Sequence, residues 1–254
     1  MILNMHVVFF LQYPSGLALR QTIRGEFSSL LDKVQSALQS HHVSVDRVRS
    51  FLIRYFRCNR WAQKFSDLDE LFNAVSVAKL WNYDHYGPLE EVTKRLLPND
   101  AIVKKLVSEY KNRLNGYYTA TKISDYIKQS KLEDSMQDPQ QPLPVHTFTL
   151  KDYRKLKVEL KLDRKVSAMT LSYVDELWRS LAEEFDLPSL TAVIHSIVEG
   201  SLKITWLILP HIAEKIRATY SKALRFYQHH NIVRVYIDDD LLYDEQWTVS
   251  VSSS

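Results

Sequence analysis

Thr191 to Leu209 reads TAVIHSIVEGSLKITWLIL, two apolar runs that meet at Glu199-Gly200-Ser201. In the second run Leu202, Ile204, Trp206 and Ile208 alternate with Lys203, Thr205, Leu207 and Leu209, the period of two of a pleated strand. Glycine at the junction supplies the backbone freedom a tight turn requires, so the stretch predicts a β-hairpin with Trp206 on its core side.

Working outward, the flanking segments complete a pattern. Upstream, Leu156, Val158, Leu160 and Leu162 alternate with Lys155, Lys157, Glu159 and Lys161, a strand with one wet face. A helix over 172–185 follows, with Val174, Leu177, Trp178 and Leu181 on its apolar side. Downstream, Pro210 opens a second helix carrying Ile212, Ile216, Tyr220, Ala223 and Tyr227. Val233, Val235 and Ile237 form a last strand, which Asp238-Asp239-Asp240 ends. The order βαββαβ predicts a ferredoxin-like α+β domain over 147–245: four antiparallel strands with both helices on one face. RNA-binding modules of this topology stack bases on exposed sheet aromatics. The first and third strands offer no such pair, which argues against nucleic acid as a ligand of the sheet.

Residues 134–146 are rich in Pro and Gln and read as a linker; 246–254 read as a tail. Before the linker, residues 23–133 read as six amphipathic helices in a bundle, the number and size of a death fold. Phe27, Leu30, Leu31, Val34 and Leu38 make the first apolar stripe, and Leu68, Leu71, Phe72 and Val75 the third. Pro98-Asn99-Asp100 caps the fifth helix, which is expected to close near Asn115-Gly116. Trp81, Tyr83, His85 and Tyr86 read as an aromatic plug at a helix corner. Residues 1–22 are left as an arm of undecided form. Their apolar opening lacks a basic start and a good cleavage site, so a secretory signal is not expected.

Composition bounds the function. The chain has 254 residues, 45% apolar and 25% charged, with only five glycines, the proportions of a globular protein. Cys58 is the single cysteine, which excludes an internal disulfide framework or a Cys-rich zinc site and favours a cytoplasmic setting. No segment reads as an integral membrane span. Gly-rich phosphate loops, GxSxG, HExxH and paired Cys motifs are missing, and the nine histidines are scattered or adjacent. Acidic pairs such as Glu90-Glu91 fall on expected solvent faces, where no cleft would shift their pKa values. No enzyme, cofactor or metal is expected.

The net charge of +3 is uneven: residues 20–133 hold 19 Lys and Arg against 13 Asp and Glu, a local +6. On the second helix Arg47, Arg54 and Arg57 recur on one face, with Arg60 just beyond. These four are the candidate binding residues, for an acidic partner protein or, alternatively, for nucleic acid or anionic lipid. LWNYDHYGPLEEV (80–92) and SEYKNRLNGYYTATKISDY (108–126), with VEGSLKITWLIL (198–209) and NIVRVYIDDDLLY (231–243), resemble uncharacterised two-module proteins of sponges and cnidarians. In these a helical module precedes a death-fold or small α+β module, sometimes beside NACHT-type receptor domains. The resemblance implies a protein-binding adaptor in innate-immune or cell-death signalling, with homotypic assembly as an option, and carries no catalytic residue across.

Overall fold

A computed structural model describes residues 16–56, 64–77, 81–128, 153–161, 166–187, 192–198 and 202–246. The N-terminal part is helical, and the C-terminal part is an antiparallel five-stranded sheet with helices.

The long helix α1 (Gly16–Ser40) begins before the stripe read from Phe27 onward. Ile23, Phe27, Leu30, Val34 and Leu38 are buried along it. It ends where His42 takes φ 52° and the Val43 N–H donates back to the Leu38 carbonyl at 2.9 Å, a left-handed cap closed by buried Val43. Ser44 then opens α2 (Val45–Phe56), its hydroxyl accepting from the Arg47 N–H at 3.3 Å. Next come α3 (Leu68–Val77) and α4 (Gly87–Leu96), which carries Pro88 in its first turn.

Asp100 caps α5 (Ala101–Ala120) by accepting from the Val103 N–H at 2.9 Å. Asp100→Ala is expected to lower stability by about 1 kcal/mol, read as a lower urea midpoint. This helix does not stop at Asn115-Gly116. Tyr117 and Tyr118 lie buried beyond Tyr110 and Leu114, so their burial carries the helix through the glycine to Ala120. A sixth helix, α6, covers 123–128.

The corner between α3 and α4 is filled by Trp81, Tyr83, His85 and Tyr86, all buried. Trp81 packs on Phe72 at 4.8 Å between centroids with the rings tilted, and Tyr86 meets Tyr110 edge-on at 5.6 Å. The Tyr110 hydroxyl donates to the Tyr83 carbonyl, which ties the corner to α5.

In the C-terminal part β1 (Arg154–Leu160), α7 (Leu171–Glu184), β2 (Ala192–Val198) and β3 (Leu202–Ile208) follow in order. The connection at Glu199-Gly200-Ser201 lies outside the described residues, but β2 and β3 pair antiparallel, from Ala192 opposite Ile208 to Val198 opposite Lys203. Trp206 is 1% exposed and packs on Trp178 of α7 at 5.7 Å. The single helix expected after Pro210 is broken into α8 (Pro210–Thr219), a 3-10 turn and α9 (Leu224–His229). Then come β4 (Ile232–Ile237) and β5 (Asp240–Asp244).

β5 corrects the four-strand expectation. Asp238 sits at φ 55° and its carboxylate accepts from the Lys155 N–H at 3.0 Å, so the acidic run makes a turn rather than an end. Arg217 holds Asp240 at 2.9 Å as the next strand begins. The sheet order is β2-β3-β1-β4-β5, with every pairing antiparallel.

The helical and sheet parts meet through backbone. The Ile123 N–H donates to the Met169 carbonyl and the Leu171 N–H to the Thr121 carbonyl, both at 2.9 Å, a short antiparallel bridge between the α5–α6 turn and the start of α7. The buried side chains of both parts join in one cluster.

Candidate functional site

A groove of about 810 Å³ lies between α2 and α4, with Lys111 of α5 at one side. The amphipathic period of α2 creates one wall. Val48, Leu52 and Phe56 point into the core, and Arg47, Phe51, Arg54 and Tyr55 are left facing the groove. Phe51 and Tyr55 are half-buried and 5.8 Å apart, an apolar floor reached from solvent. The opposite wall is the outer face of α4, from Gly87 through Glu90, Glu91, Lys94 and Arg95 to Leu96.

Five cations and two carboxylates face this space. The two carboxylates are occupied: Lys94 lies 3.2 Å from Glu90 and 3.2 Å from Glu91. Burial opposes the Lys94 charge, yet the two glutamates outweigh it and hold its pKa above the ordinary lysine value. Tyr55 is pushed the same way, first by burial and then by the nearby Glu91 and Glu90 charges, so its hydroxyl stays protonated. Among the described residues Arg47, Arg54, Arg95 and Lys111 form no ion pair, which leaves four exposed cations around an aromatic floor.

Of the four residues singled out in the sequence, Arg47 and Arg54 share this groove, while Arg57 and Arg60 lie outside the described residues. Arg95 and Lys111 complete the rim and were missed. The one hint to them is that both stand off the apolar stripe of their helices. Glu90 and Glu91, expected on a solvent face, instead line the groove wall.

The side of the sheet that carries Glu159 presents a different balance. Glu159 is 4% exposed and surrounded by Lys203 at 3.1 Å, Lys157 at 3.5 Å and Arg234 at 3.7 Å; Arg234 also binds Asp244 at 2.9 Å. Tyr236 lies beneath the Lys157 ammonium at 4.5 Å, one aromatic residue that belongs to the strand not considered in the sequence reading of this face. These cations answer carboxylates within the sheet, whereas among the described residues four of the five cations of the groove form no ion pair. The acidic turn at 238–240 is likewise held by Arg217 and Arg154.

Among the described residues no group of three or more His, Cys, Asp or Glu could hold a metal ion, and no helix is long and apolar enough to cross a membrane. No family model, curated protein or solved structure matches the chain.

Proposed function

We propose that this protein is a non-enzymatic binding module of adaptor type that takes an acidic segment of a partner protein into the groove between α2 and α4. The observation that carries the reading is the set of four exposed cations, Arg47, Arg54, Arg95 and Lys111, around the half-buried rings of Phe51 and Tyr55, none of the four held in an ion pair among the described residues. A segment with carboxylates flanking one large apolar side chain matches both features. In this reading the six helices form a death-fold-like domain. The β2-β3-β1-β4 order supports a ferredoxin-like second domain extended by β5. The setting is cytoplasmic innate-immune or cell-death signalling.

The test is fluorescence polarisation with a labelled peptide of alternating Glu and Leu residues ending in Phe. The double substitution Arg47→Glu with Arg54→Glu is expected to weaken binding at least about tenfold, since two attractive charges become repulsive. Affinity that survives the double reversal would sink the groove assignment. Two further arms use single-stranded DNA and phosphatidylserine vesicles. Tighter, steeply salt-dependent binding to either would replace the protein ligand with nucleic acid or anionic lipid.

A further inference from the structure

The two long walls of the groove are both flanks of helices, and each presents a helical stripe. On α2 the lining residues stand at 47, 51, 54 and 55; on α4 they stand at 87, 90, 91, 94 and 95, with Leu96 at the end. Both sets follow the spacing of one side of an α-helix, and from 47 to 55 and from 87 to 95 each runs for about 12 Å.

This construction restricts the backbone that fits. The N–H and C=O groups of a helix lie along its axis, so its flanks offer a ligand side chains and no ladder to pair with. An extended segment laid between α2 and α4 would give up the water on its own amides and find no backbone partner there. A helical segment carries those bonds within itself and turns only side chains outward.

The side chains of the groove point the same way. Phe51 and Tyr55 stand one turn apart with ring centroids 5.8 Å from each other, close to the ~5 to 6 Å that separates neighbours at i and i+4 on a second helix. Arg47 and Arg54 are exposed on the α2 wall and Arg95 on the α4 wall. A ligand lying between the walls therefore meets cations on both of its sides, and carboxylates along both borders of its apolar stripe answer them.

Given the α2–α4 groove as the binding site proposed above, on which this step depends, we infer that the acidic segment is bound as an amphipathic α-helix. Its apolar side chains, at i, i+3 or i+4, and i+7, lie on Phe51 and Tyr55, with Asp or Glu on either side of them. A peptide that orders as a helix on binding gives up part of its affinity, so a sequence with helical spacing binds better than the same residues in another order.

Fluorescence polarisation with three labelled peptides of about twelve residues, long enough to run the length of the groove, tests this. Two share one content of Glu, Leu and a single Phe: in the first the apolar residues alternate with Glu as in a strand, and in the second they recur at helical spacing. The third is the second with proline in place of a central, outward-facing Glu. The helically spaced peptide is expected to bind at least about tenfold more tightly than the alternating one, and the proline to remove at least about tenfold. Carbon-13 labels at its Leu Cα positions are expected to shift to helical values on binding. An alternating peptide that binds as tightly, a proline peptide undiminished, or extended Cα shifts in the bound state would overturn the helix and leave the groove standing. Arg47→Glu with Arg54→Glu, checked for folding by a circular-dichroism melt, reads the groove itself. If that variant binds all three peptides as the original does, or if none of them binds the original, the groove assignment falls and the helix with it.

Discussion

Trp206→Ala is expected to lower the free energy of unfolding by about 3 to 5 kcal/mol, the range for removing a large aromatic side chain from a packed core. The surroundings place it in the upper part of that range. Trp206 lies on β3, paired to Leu156 of β1 on one side and Ile194 of β2 on the other, and its ring packs on Trp178. At 1% exposure it has little room to be replaced by solvent, and four elements would have to move together to close the cavity. Trp206→Phe keeps much of the volume and is expected to cost less than half as much. Urea unfolding followed by far-ultraviolet circular dichroism measures both. A loss below about 1 kcal/mol for the alanine variant would remove Trp206 from the core.

The second large effect is a stabilisation. Asp84, in the corner between α3 and α4, is half-buried as a residue, but its Oδ1 is sealed from solvent and accepts no hydrogen bond among the described residues. Burial pushes its carboxyl up to about 6 from an ordinary 3.8, while Arg20 and Arg24 pull the other way without prevailing. Arg20 is itself committed to the corner, donating to the Tyr83 hydroxyl at 2.9 Å and lying over the Tyr83 and Tyr126 rings.

A carboxyl whose pKa is higher in the folded than in the unfolded state binds its proton more tightly when folded. Its contribution to stability is therefore present in full below about pH 4 and is lost as the pH rises through about 6. Two pH units at roughly 1.36 kcal/mol each amount to about 3 kcal/mol carried as a penalty at pH 7.5. Asp84→Asn keeps the shape and removes the charge. It should raise stability at pH 7.5 by up to that amount and flatten the change between pH 4 and 7. Equal unfolding curves for the two proteins at pH 7.5 would show that the aspartate is solvated.

Much of the architecture was legible in the order of residues. Periods of 3.6 marked N-terminal helices among the described residues, and periods of two marked three of the five strands, because both report on which side of an element meets apolar matter. The misses have physical causes. Three consecutive aspartates read as a stop, and only the Lys155 amide and Arg217, distant in sequence, turn them into a corner followed by β5. Gly116 read as a helix end, yet Tyr117 and Tyr118 find a core on the far side of it.

The candidate site divides in the same way. The spacing of Arg47 and Arg54 along one helix was sufficient to set them on a shared face apart from Val48 and Leu52, since helical geometry is local. The sequence by itself thus determined most of the elements, the buried place of Trp206 and the basic face of α2. Only the tertiary structure decided that α4 and Lys111 would stand across from that face and that β2 would lie at an edge of the sheet among the described residues. Those outcomes depend on contacts between residues far apart in the chain. Such contacts follow from how all the apolar stripes are buried at once, which no single stripe contains.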